Sequence, residues 1–97
     1  MNRQAVIERL RENETALKAL GVSHAALFAR ARGEERPKSD IDIFVEIAPD
    51  FPMDLFQYVG VVDAIEEMFS EPVDVSNRAA MKPHVRPSAE RDAVYAF

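Results

Sequence analysis

Residues 40 to 47 run Asp-Ile-Asp-Ile-Phe-Val-Glu-Ile, with Ile41, Ile43, Val45 and Ile47 at every second position. Successive side chains of a strand point to opposite faces, so this alternation specifies a half-buried β-strand. The register that buries the aliphatic face aligns Asp40, Asp42, Phe44 and Glu46 on the other. Same-face neighbours lie about 6–7 Å apart, so Asp40 and Asp42 address a common point. At an effective dielectric of about 20 their charges repel by roughly 2–3 kcal/mol, and a divalent cation between them reverses the sign. Oxygen-only ligation of this kind suits Mg²⁺ or Mn²⁺. Asp-x-Asp on a strand also fits a plain solvated face. What favours chemistry is the segment just before it, which carries Arg30, Arg32, Arg36 and Lys38 around Gly33. Cations for phosphate next to carboxylates for metal make a triphosphate site.

The flanking patterns supply the rest of a fold. Val6, Ile7, Leu10, Leu17 and Leu20 recur at helical spacing, which predicts an amphipathic helix over residues 3 to 20 with a polar interruption near Asn13. Gly21 is suited to end it in a left-handed conformation. Residues 22 to 28 then read as a short buried strand containing His24. Asp54 and Gln57 have the spacing of a capping box, opening a helix whose apolar stripe is Leu55, Tyr58, Val59, Val62, Ile65 and Phe69. Pro72 to Val75 reads as a third strand, parallel to a neighbour because a crossover helix precedes it, with Asp74 as a third carboxylate. A short terminal helix is expected from Ser88. The prediction is an α/β (α+β) chain: a small mixed β-sheet flanked by helices, with residues 1–97 as a single domain.

Composition narrows the function classes. The chain has 97 residues, 17 acidic and 12 basic side chains, and a formal net charge of −5, which argues against broad nucleic-acid binding. It has no cysteine, so disulfides and thiolate nucleophiles are excluded. No stretch approaches the ~20 apolar residues of a membrane-spanning helix, and a cytoplasmic protein without membrane association is expected. His24 and His84 show no metal-ligand spacing and read as structural, while Tyr95 and Phe97 read as packing against the core.

The segment Leu27-Phe28, Ala31-Arg32-Gly33-Glu34, Arg36-Pro37, Ser39-Asp40-Ile41-Asp42 resembles the minimal nucleotidyltransferases of the polymerase-β superfamily. Pro72-Val73-Asp74-Val75 matches that family's third-carboxylate strand, and Glu90 to Tyr95 resembles its C-terminal segment, so the likeness spans essentially the whole chain. The resemblance implies a polymerase-β-like nucleotidyltransferase fold that binds a nucleoside triphosphate, ATP by expectation, with Mg²⁺ or Mn²⁺. Asp40, Asp42 and Asp74 would be the metal-binding and catalytic carboxylates, Asp74 also acting on the incoming hydroxyl. Ala29, Arg30, Arg32, Gly33 and Lys82 would form the nucleotide-binding set. Small members of the family are often encoded with a HEPN-domain ribonuclease toxin and act as its antitoxin, in some cases by adenylylating a toxin tyrosine. A HEPN-family toxin is therefore the expected partner, and a homo-oligomer stays open.

One departure matters for that expectation. Where the family runs Leu-Phe-Gly-Ser-x-Ala-Arg-Gly, this chain runs Leu27-Phe28-Ala29-Arg30-Ala31-Arg32-Gly33, one residue shorter. Counting back from Asp40 puts Ala29 at the serine position, where alanine has no hydroxyl to donate to a phosphate. Two readings follow: an adenylyl-transferring antitoxin, or a catalytically impaired module that neutralises the toxin by contact.

Overall fold

The structure, a computed structural model, describes residues 2–28, 41–80 and 93–97. The predicted N-terminal helix is two helices, α1 (Arg3–Glu12) and α2 (Glu14–Ala19). The break sits at Asn13, whose backbone leaves the helical region (φ −106°, ψ 13°). Its side-chain amide donates to the Arg9 carbonyl at 2.9 Å. This is the local competition that makes asparagine a poor mid-helix residue. Asn2 caps α1 by accepting from the Ala5 amide at 2.8 Å. Val6, Ile7, Leu10 and Leu17 are buried as expected, but Leu20, at the C-terminal cap of α2, is 39% exposed.

Gly21 takes the left-handed conformation at φ 102°. A Cβ built there would lie 2.6 Å from the Phe51 ring and 2.8 Å from the Met53 methyl. Both backbone and space therefore select glycine at this turn. Strand β1 (Val22–Leu27) follows and pairs antiparallel with β2 (Ile41–Ile47). Asp54 and Gln57 form the expected reciprocal capping box at the start of α3 (Leu55–Glu66). This helix carries the chain across to β3 (Val73–Asn77), which pairs parallel with β2. A 3₁₀ turn, Arg78–Ala80, follows. At the C-terminus, residues 88–92 of the expected terminal helix lie outside the described residues, and Val94–Tyr95 form a strand, β4, against β1. Among the described residues the sheet order is β3-β2-β1-β4.

The two faces of the sheet differ in kind. Ile41, Ile43 and Val45 join Val6, Ile7, Leu10, Leu17, Val61 and Ile65 in one core cluster, with Val73 and Val75 packed against it. All three α-helices thus bury their apolar residues on the aliphatic face that the alternation of β2 defines. The opposite face holds a smaller cluster of Ala26, Phe28 and Phe44 with Ala93 against it, to which no α-helix among the described residues contributes. The α3 stripe is rotated from its expected position. Val61 and Ile65 are buried and Tyr58 packs on the core, while Leu55 and Val59 face solvent. Burial raises the Tyr58 phenol above its ordinary 10.0. Among the described residues no helix is long and apolar enough to cross a membrane.

Candidate functional site

Two of the three expected carboxylates meet. Asp42 on β2 and Asp74 on β3 are direct register partners in the parallel pairing. Their strand neighbours Ile41, Ile43, Val73 and Val75 all belong to the core side. Period-two alternation therefore puts both carboxylates on the face opposite the three α-helices. Both are half-buried. Adjacent strands run about 4.8 Å apart, so the two side chains rise next to one another. At about 5 Å and an effective dielectric near 20, two full negative charges repel by roughly 3 kcal/mol before solvent screening. The sheet supplies the position and the sequence supplies like charges there, which is the arrangement a hard divalent cation neutralises.

The donor chemistry fits Mg²⁺ or Mn²⁺: carboxylate oxygens only, on two adjacent strands. Asp42 and Asp74 are the residues that could hold such an ion. Among the described residues no group of three or more His, Cys, Asp or Glu side chains converges on one point. Asp40, the third expected carboxylate, lies outside the described residues. So do Ala29, Arg30, Arg32, Gly33 and Lys82, together with His84.

Further along the same face is a cluster that the sequence did not point to. Glu46, four residues beyond Asp42 and so about 13 Å along the strand, accepts the Tyr95 hydroxyl at 2.7 Å. The Arg78 guanidinium Nε stands 3.9 Å from the same carboxylate oxygen. Tyr95 reaches across from the edge strand with its ring edge-on to Phe44 (centroids 5.6 Å apart, 81°) and to His24 (6.0 Å, 89°). His24 is exposed rather than buried, because the pairing of β1 turns it to this face opposite Glu46, where Nδ1 lies 3.2 Å from the Phe97 carbonyl oxygen. Together His24, Glu46, Tyr95 and Phe97 line a shallow concavity of about 410 Å³. Tyr95 and Glu46 are 49 positions apart, so periodicity in one sequence gives no signal that joins them.

Phe44 is the exception on this face. It lies between the two acidic positions of β2 yet is fully buried, its ring 5.6 Å from that of Phe28. The exposed side of β2 is thus a polar, apolar, polar sequence, with the phenylalanine as a floor between Asp42 and Glu46.

The profile of the nucleotidyltransferase domain family matches residues 10–96. A protein of Methanocaldococcus jannaschii named "Putative protein adenylyltransferase MJ1379" is 33% identical over 91 residues, covering 91% of each chain. A second protein of that organism, "Putative protein adenylyltransferase MJ0128", is 33% identical over 91 residues, covering 89% of each. Among solved structures, a chain of a mutant of the toxin-antitoxin MntA-HpeT superposes with a TM-score of 0.59 at 14% identity, over 100% of this chain and 73% of that one. At that identity the superposition speaks for the fold alone. The family profile and the two archaeal relatives carry the assignment: the chain belongs to the nucleotidyltransferase domain family.

Proposed function

We propose that this chain is an antitoxin of the minimal nucleotidyltransferase type, acting as one domain, which transfers AMP from ATP to a hydroxyl of a HEPN toxin partner. The observation that carries it is the register pairing of Asp42 with Asp74 on the open sheet face of a nucleotidyltransferase. The names of the archaeal relatives support protein as the acceptor, and the toxin-antitoxin fold neighbour supports a toxin as that protein.

In this reading Asp40, Asp42 and Asp74 hold Mg²⁺, which when bound neutralises charge developing on the phosphates and lowers the pKa of the attacking hydroxyl. Asp74 receives the proton of the acceptor hydroxyl as its oxygen bonds to the α-phosphorus. The bond from that phosphorus to the bridging oxygen breaks, and pyrophosphate leaves. The arginines before β2, with Gly33 and Lys82, bind the triphosphate.

A second reading rests on Ala29. A phosphate contact to a hydroxyl donor is worth about 1.5–3 kcal/mol, or one to two decades in affinity, and alanine does not make it. In that case the domain neutralises its partner by contact. Incubating the purified chain and toxin with α-labelled ATP and Mg²⁺ separates the two. Label on the toxin is expected; toxin neutralised with no label on it would favour contact alone. Calorimetric titration of ATP into Ala29→Ser is then expected to show binding about tenfold or more tighter than in the parent chain.

A further inference from the structure

The helix layer carries a second surface, remote from the carboxylates. On α3, Phe56 is 85% exposed, Leu55 73% and Val59 46%, the largest concentration of exposed apolar side chains among the described residues. Positions 55, 56, 59 and 60 share one helical face. At its edge, beside Phe56, is Gly60, where an added Cβ would meet nothing within 4 Å. A mid-helix glycine weakens the helix, and nothing in the protein's own packing requires one here. What it does provide is bare backbone next to Phe56, where a partner can approach closely.

Along the stretch of sequence that carries this patch the charge has one sign. From Ser39 to Asn77 the sequence contains ten Asp and Glu and no Lys, Arg or His. Asp54, Asp63, Glu66 and Glu67, which rim the patch or end the helix, are all exposed. A second copy is a poor occupant. Two-fold packing sets a patch against itself, which would face acids with acids while no cation of α3 answers them. The rim instead complements a surface whose apolar seam is flanked by Lys and Arg.

We propose that the Leu55, Phe56, Val59 and Gly60 face of α3 is a docking surface for a basic, apolar-seamed protein partner, and that this partner is the toxin. The identification of the toxin rests on the function proposed above. The patch lies on the helical side of the sheet and Asp42 and Asp74 on the opposite side. Docking on α3 therefore leaves the carboxylate face open, and holding the partner is separable from modifying it.

Calorimetric titration of the purified toxin into the full chain tests this, with thermal unfolding of each variant followed alongside. Phe56→Ser is expected to weaken binding at least tenfold. Gly60→Gln is expected to do the same while unfolding at an equal or higher temperature, since glutamine is the better helix former, so a folding defect cannot produce the loss. Asp63→Lys is expected to weaken binding, and added salt to weaken binding of the parent chain. Binding by Phe56→Ser and Gly60→Gln within twofold of the parent overturns the surface while leaving the toxin reading intact. A parent chain that binds no toxin removes both. A concentration-dependent dimer of the parent chain, lost in Phe56→Ser, overturns the proposal in favour of a second copy.

Discussion

Asp42→Asn is expected to reduce adenylyl transfer to the toxin by about a thousandfold or more, equivalent to roughly 4 kcal/mol of transition-state stabilisation. The substitution keeps the size and shape of the side chain and replaces one carboxylate oxygen by an amide nitrogen, which removes the charge and a ligand for a hard cation. Asp42 is half-buried and stands directly opposite Asp74, so the change also removes a like-charge repulsion of roughly 3 kcal/mol before screening. Thermal unfolding in metal-free buffer follows the stability of the variant separately from its activity. Mg²⁺, which should raise the unfolding temperature of the parent chain by binding the folded state, is expected to have little effect on the variant. A variant that transfers at the parental rate would remove the carboxylate pair from the chemistry. One that unfolds several degrees lower would show that Asp42 serves the fold instead.

The parts of this site that could be read from the sequence are those set by local periodicity. The alternation of Ile41, Ile43, Val45 and Ile47 fixed both the strand and its faces, and the capping box at Asp54 located the start of α3. The pairing of Asp42 with Asp74 could not be read that way. A slip of one residue between β2 and β3 would turn Asp74 into the core, and only the packing of Val73 and Val75 under α3 selects the observed register. The misplaced stripe of α3 has a related cause. Leu55, Phe56, Tyr58, Val59, Val61, Val62 and Ile65 cover most of the helix circumference, so the apolar period does not choose which side meets the sheet. Val61 and Ile65 win because they reach the sheet core, and Leu55 and Phe56 are left outside. The apolar neighbours of His24 predict burial, whereas its pairing opposite Glu46 turns it to the face away from the helices.

The open face also explains the uneven design of β2. Catalysis on a folded acceptor requires an accessible surface, and accessible sheet faces lose the burial that normally holds strands flat. Here the loss is offset locally. Phe44 covers the middle of the face, bracketed by Phe28, the residue after β1, and Tyr95 on β4, and Tyr95 in turn ties the edge strand to Glu46 through its hydroxyl. Two ring contacts and one hydrogen bond thereby link β2 to the end of β1 and to the edge strand.

Phe44→Ala is accordingly expected to cost about 3–5 kcal/mol, the range for truncating a buried phenylalanine. Phe44 has no measurable exposure, and of the partners in its cluster Ala26 and Ala93 are too small to fill the space its ring leaves. That cost is a large share of the roughly 5–15 kcal/mol that holds a domain together. With a shift of about 4–8 °C per kcal/mol for a chain of this size, the unfolding midpoint should fall by roughly 12–40 °C. Phe44→Leu, which keeps most of the volume, should cost no more than about 1.5 kcal/mol. The pair of variants separates a supporting role from a chemical one. If Phe44 serves only as the floor beneath the carboxylates, Phe44→Leu should retain transfer activity within a fewfold at a temperature where it is folded. Phe44→Ala should lose activity in step with its folded fraction, as read by circular dichroism. A Phe44→Leu protein that is fully folded and inactive would instead mean that the aromatic ring sets the position of the neighbouring Asp42 in a way that leucine does not.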